Sequence, residues 1–141
     1  MEQISVFFNL ESLEVVKLYL FGNVSYLDLL LVLMLVDIVT GVFKAIKNKD
    51  LRSRSALFGY ARKIAIFAII IVANIVDTIL DLNGMVATAT VLFYMANEIL
   101  SIVENSAHIG LKVPPVIMEK LRGFNQHGPE EQTKSEESEE K

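Results

Sequence analysis

Three apolar runs, each interrupted by acid or amide side chains, constrain this chain more than anything else in it. They cover residues 26–43, 64–80 and 85–103. A helix rises about 1.5 Å per residue and bilayer hydrocarbon is roughly 30 Å thick, so one crossing takes about 17–25 residues. Each run meets that length. The apolar residues are massed in these runs rather than laid out as a stripe with a polar back, the pattern of a soluble amphipathic helix. The chain has 141 residues, 52% of them hydrophobic. One domain of that size has few ways to bury three such helices in a soluble bundle. The expected fold is an all-α membrane protein with three transmembrane helices.

The polar residues inside the runs are the candidates for function. Asp37 sits near the middle of the first run. An acid at the centre of a span costs about 2.5–3.5 kcal/mol on insertion scales, so such a residue faces a bundle interior or water. Thr40, Gly41 and Lys44 follow on the same helical face. Gly41 and Ala45 form a small-xxx-small pair that lets another helix approach closely. The second run carries Asn74 and Asp77, three apart and so on one face. The third begins with small residues, Ala87 to Thr90. It then shows a polar stripe of Tyr94, Asn97, Glu98, Ser101, Glu104 and Asn105. Asp37 and Glu98 fall at a similar depth, with Arg62 or Lys63 in a position to snorkel toward them. Asp37, Thr40, Gly41, Lys44, Asn74, Asp77, Asn97, Glu98 and Ser101 are therefore the expected pore and helix-association residues.

The flanks set topology. Residues 44–63 read as a basic loop: Lys44, Lys47, Lys49, Arg52, Arg54, Arg62 and Lys63 oppose one acid, Asp50. Short Lys- and Arg-rich loops stay in the cytoplasm and attract anionic lipid headgroups. Lys47, Lys49, Arg52, Arg54, Arg62 and Lys63 are given that role, which leaves no need for nucleic acid as a partner. The turn at Asp81–Gly84 has no base and belongs outside. These counts predict the N-terminus out and the C-terminus in. Residues 1–25 read as an amphipathic N-terminal segment, with Leu10, Leu13, Val16 and Leu20 near one face. A fourth span is the alternative. No basic stretch precedes an apolar core there, so no secretory signal is expected. The transmembrane domain covers 26–110. After Pro114-Pro115, residues 111–124 read as a membrane-surface helix. Residues 125–141 are polar and acidic, and disorder is expected. Cysteine is absent, His108 and His127 lack ligand partners, and neither a metal nor a cofactor is expected.

Between about Asp37 and Leu121 the sequence resembles the phage lysis and toxin-secretion holin family. The resemblance lies in Asp37-x-x-Thr40-Gly41-x-x-Lys44-Ala45, Leu51-x-Ser53, Arg62-Lys63 opening the second span and Asp77 near its end. It continues through Phe93-Tyr94-x-x-Asn97-Glu98-x-Leu100-Ser101-Ile102-x-Glu104-Asn105 and Gly110-x-x-Val113-Pro114. The first 25 residues and the acidic tail fall outside it. It implies a protein that accumulates in the bacterial cytoplasmic membrane, assembles with itself, and opens lesions on a schedule. An endolysin then reaches the cell wall, or a large toxin leaves. It implies no catalytic residues.

Two other classes stay open on the residues alone. One is a small transporter or ion channel using Asp37 and Glu98 as coupling acids, although no repeat architecture supports it. The other is an assembly factor holding a partner through its basic loop and acidic tail. No nucleophile–base pair or metal set points to an enzyme.

Overall fold

The computed structural model describes residues 10–51 and 53–125. Arg52, residues 1–9 and residues 126–141 lie outside the described residues. The expected disorder of the acidic tail, the start of the N-terminal segment and the role given to Arg52 lie outside with them. The described secondary structure is helical throughout: α1 (Leu10–Phe21), α2 (Leu27–Lys47), α3 (Ser53–Leu80), α4 (Met85–Ile109) and α5 (Pro115–Asn125). Three of these, α2, α3 and α4, are long and apolar enough to cross a membrane.

The helices outrun the apolar runs. α2 continues to Lys47 and α3 begins at Ser53, so most of the stretch expected as a basic loop is helix. The reason is local. Lys, Arg, Ala and Leu favour helix as strongly as the apolar residues do, and no proline interrupts the stretch. The described part of the connection shrinks to 48–51. α2 stops where Lys49 adopts φ +53 and the Asp50 N–H turns back to the Ala45 carbonyl at 3.0 Å. At the opposite end α4 follows α3 after four residues, with Gly84 at φ +81 just before it. α4 closes on Gly110 at φ +96, whose N–H bonds the Ala107 carbonyl at 3.1 Å. Pro115 then opens α5, where its missing N–H is no loss.

α4 is the central helix and packs along both neighbours, whereas α2 and α3 meet each other little. Ser25 bonds Thr88 at one end and Lys47 bonds the His108 carbonyl at the other, so α2 and α4 run parallel. Lys63 meets Glu98 and Asp77 meets Val86, so α3 runs antiparallel to α4. Leu27, Leu30 and Met34 of α2, Ile66 and Ile70 of α3 and Val91 of α4 form the buried cluster. Their spacings of three and four place each set on one helical face. Ala73 and Ala87, also buried, let the backbones approach.

Most remaining apolar surface faces outward. Leu31, Val32, Leu35, Val39 and Phe43 on α2 and Ile69, Val72, Ile75 and Ile79 on α3 are all exposed. A contiguous apolar surface of this extent belongs against lipid or against other protein. α1 docks by its last turn: Phe21 meets Phe67 edge to face at 6.3 Å. Its Leu13, Val15, Val16, Leu18 and Tyr19 are exposed. On α5, Met118 and Leu121 are half-buried, while Val116 and Ile117 are exposed along with Glu119, Lys120 and Arg122.

Candidate functional site

Each of the three long helices contributes one charged side chain to a common cluster. Lys63 Nζ of α3 lies 2.9 Å from Asp37 Oδ2 of α2 and 2.5 Å from Glu98 Oε2 of α4. Asn105, two turns beyond Glu98 on the same face of α4, donates from Nδ2 to Asp37 Oδ1 at 3.0 Å and to Thr40 Oγ1 at 3.2 Å. Thr40 Oγ1 in turn donates to the Asp37 carbonyl at 3.1 Å. Glu98 and Asn105 are buried. Two carboxylates share one ammonium, so the cluster carries a formal charge of −1.

The arrangement does two things physically. It satisfies polar groups that hydrocarbon would penalise, since each finds its partner inside the helical unit. It also sets the register of α2 and α3 on α4, because charge-assisted bonds act only at short range and in defined directions. The cluster lies at the depth of a cleft of about 680 Å³ between α2 and α3. Lys44, Gly41 and Ala45 of α2 and Ala56, Gly59 and Tyr60 of α3 line it, with Asp37, Lys63 and Asn105 also on its surface. The cleft is open beside Gly59, where an added Cβ would meet nothing within 4 Å.

The other end of the unit is held differently. Asp77 is buried and accepts from the Val86 N–H at 2.9 Å and the Ala87 N–H at 2.7 Å. It thereby satisfies the exposed donors at the start of α4 and places a negative charge at the positive end of that helix dipole. Gly84, the residue at the capping position, has no side chain to do so. Asn74 Nδ2 donates to the Leu20 carbonyl at 3.0 Å and so closes the end of α1. At the basic end, Lys47 Nζ performs the equivalent service for α4, reaching the His108 carbonyl at 2.9 Å.

The residues singled out in the sequence thus fall into separate places. Asp37, Thr40, Glu98 and Lys63 come together, with Gly41 beside Asn105. Asn74 and Asp77 lie at the turn end, about 17 Å from Glu98 by the rise along α4. Lys44 lines the cleft, while Lys49, Arg54 and Arg62 are exposed. Asn97 and Ser101 are half-buried at the edge of α4 and join neither group. Lys63, read as a topology residue, is the centre of the cluster. Asn105 joins the cluster through Asp37 and Thr40. Its signal was its seven-residue spacing from Glu98, which returns a side chain to the same helical face. Bonds to backbone carbonyls, as at Lys47 and Asn74, leave no such pattern. Among the described residues no group of three or more His, Asp or Glu is placed to hold a metal.

Comparison with known proteins agrees with this membrane architecture. The sequence model of the bacteriophage holin family matches residues 14–126. A probable holin of Bacillus phage phi105 is 62% identical over 113 residues, covering 80% of this chain and 84% of the phage protein. The uncharacterized protein YqxH of Bacillus subtilis is 57% identical over 122 residues, 86% of this chain and 87% of its own. An uncharacterized protein of Clostridium perfringens is 39% identical over 98 residues, 68% and 72% of the two chains. No solved structure matches. With three apolar helices and a match spanning most of its length, the chain is a multi-pass membrane protein and belongs to the bacteriophage holin family.

Proposed function

We propose that this protein is a non-enzymatic, lesion-forming holin of the bacterial cytoplasmic membrane, oriented with its N-terminus out and its C-terminus in. Copies gather by self-association and at a threshold open lesions through which an endolysin, or a large toxin, crosses. The family match over residues 14–126 carries the reading. The physical support is that a single copy leaves the lipid-facing sides of α2 and α3 exposed while holding polar groups in all three spans. The excess of Lys and Arg around 44–63, against none in the turn at 81–84, supports the orientation.

The test is induced expression in a bacterium, with membrane potential and release of cytoplasmic protein recorded together. Abrupt depolarisation followed by release of folded proteins is expected. The cleft above Asp37 and Lys63 favours one second reading, a small ion channel. Depolarisation without release of protein would select it. No change in either signal would refute both.

A further inference from the structure

The polar residues of α4 do not all serve the buried cluster. Thr90, Tyr94, Asn97, Ser101, Glu104 and His108 recur at steps of four, three, four, three and four. That alternation follows one continuous line along a helix, the spacing of a seam that packs against another helix at a shallow left-handed crossing. The seam extends about 27 Å at 1.5 Å per residue, nearly the thickness of the hydrocarbon. It runs beside the inner face of α4, which is occupied by Ala87, Val91, Glu98 and Asn105, and touches that face at Tyr94. None of its six residues lines the cleft between α2 and α3.

Thr90 satisfies its hydroxyl on the Val86 carbonyl at 2.7 Å, and Tyr94 packs against the core cluster. Asn97 and Ser101 are different. Both are half-buried and neither side chain bonds another described residue. Asn97 is also the middle residue of α4, the depth at which lipid supplies no hydrogen-bond partner. Its amide carries both donors and an acceptor, as the Ser101 hydroxyl does, so each is complementary to itself. Glu104 and His108, both exposed and one turn apart, add an acceptor and a donor that can pair across two seams. Copies in one membrane share an orientation, so two α4 helices meet in parallel and a two-fold axis along the membrane normal brings like residues together.

We propose that this seam is where one copy of the chain meets another, α4 against α4, with Asn97 and Ser101 bonding their counterparts across the contact. The inference rests on the self-association proposed above and assigns its surface. The Asp37–Lys63–Glu98 cluster then holds the individual unit together, and the seam joins units.

The chain contains no cysteine, which makes single-cysteine crosslinking in membranes direct. Full-length Ser101→Cys and Asn97→Cys variants are expressed below the lethal level and oxidised with copper phenanthroline. Val32→Cys on α2 and Ile75→Cys on α3, both on exposed faces, serve as comparison positions. Disulfide-linked dimer is expected at Ser101→Cys and Asn97→Cys and little at the comparison positions. Adding Asn97→Leu to Ser101→Cys should lower the dimer yield roughly tenfold, the loss of about one interhelical hydrogen bond. Dimer at Val32→Cys or Ile75→Cys with none in the seam would overturn this assignment and leave self-association standing. No dimer at any of the four positions, with all variants present in the membrane fraction and a general amine crosslinker also finding monomer, would overturn both.

Discussion

Replacing Lys63 by leucine tests the buried cluster most sharply, because its effect is set by geometry. Asp37 Oδ2 and Glu98 Oε2 lie 2.9 Å and 2.5 Å from one ammonium nitrogen. The two carboxylates are thereby held within roughly 5 Å of each other, and at an effective dielectric of about 20 their repulsion there is about 3 kcal/mol. Exposure of the three side chains is 9–15%, so water screens little of it. Lys63→Leu should therefore destabilise the helical unit by about 3 kcal/mol, the lower end of the cost of removing one partner from a buried pair. Lys63→Leu combined with Glu98→Gln removes the repulsion and leaves Asp37 its bond from Asn105. The double variant should recover more than half of the loss, whereas independent sites would add their losses. Stability is read by SDS-driven unfolding of the purified protein in mild-detergent micelles, followed through tyrosine circular dichroism. A single variant as stable as the parent would refute the reasoning. So would a double variant no more stable than the single one.

Three further substitutions address other joints by the same assay. Asn105→Leu removes one bond to a carboxylate and one to a hydroxyl and should cost about 2–3 kcal/mol, with helical content retained. Asp77→Ala uncaps the start of α4 and should cost about 1–2 kcal/mol, with Asp77→Asn costing less because one acceptor remains. Faster amide exchange at Val86 and Ala87 would report this locally. Gly22→Ala should cost at least about 1 kcal/mol, since Gly22 has φ +58 and the added Cβ would collide with the Asn74 amide. Its effect should vanish in an Asn74→Ala background except for the backbone strain.

How far the sequence reveals this protein depends on which physical rule each feature obeys. The three spans were legible because hydrocarbon thickness converts directly into a count of apolar residues. The helix ends were not, because hydrocarbon does not decide them. α3 starts at Ser53, well before the apolar run at 64, since backbone propensity carries the helix out through basic residues. Depth was legible for the same reason as span length. Asp37 and Glu98 fall at one level by simple rise per residue, and the structure sets both against Lys63.

Direction around the helix is where the sequence runs out, and α4 shows why. Glu98 and Asn97 are adjacent, both polar and both near the middle of the span. In the sequence a single stripe from Tyr94 to Asn105 holds them together. One residue is a turn of about 100°, however. That is enough to bury Glu98 against Lys63 and leave Asn97 at the edge without a described partner. Which side of the stripe faces inward is fixed by residues on other helices, Lys63 above all, and no periodicity within α4 contains that information. A polar residue in a span therefore has to be sorted by partner before it is assigned to a pore or an interface. Here that sorting moves Asp37 and Glu98 to the inside of one unit and leaves the seam through Asn97 and Ser101 as the part of α4 with bonds still to make.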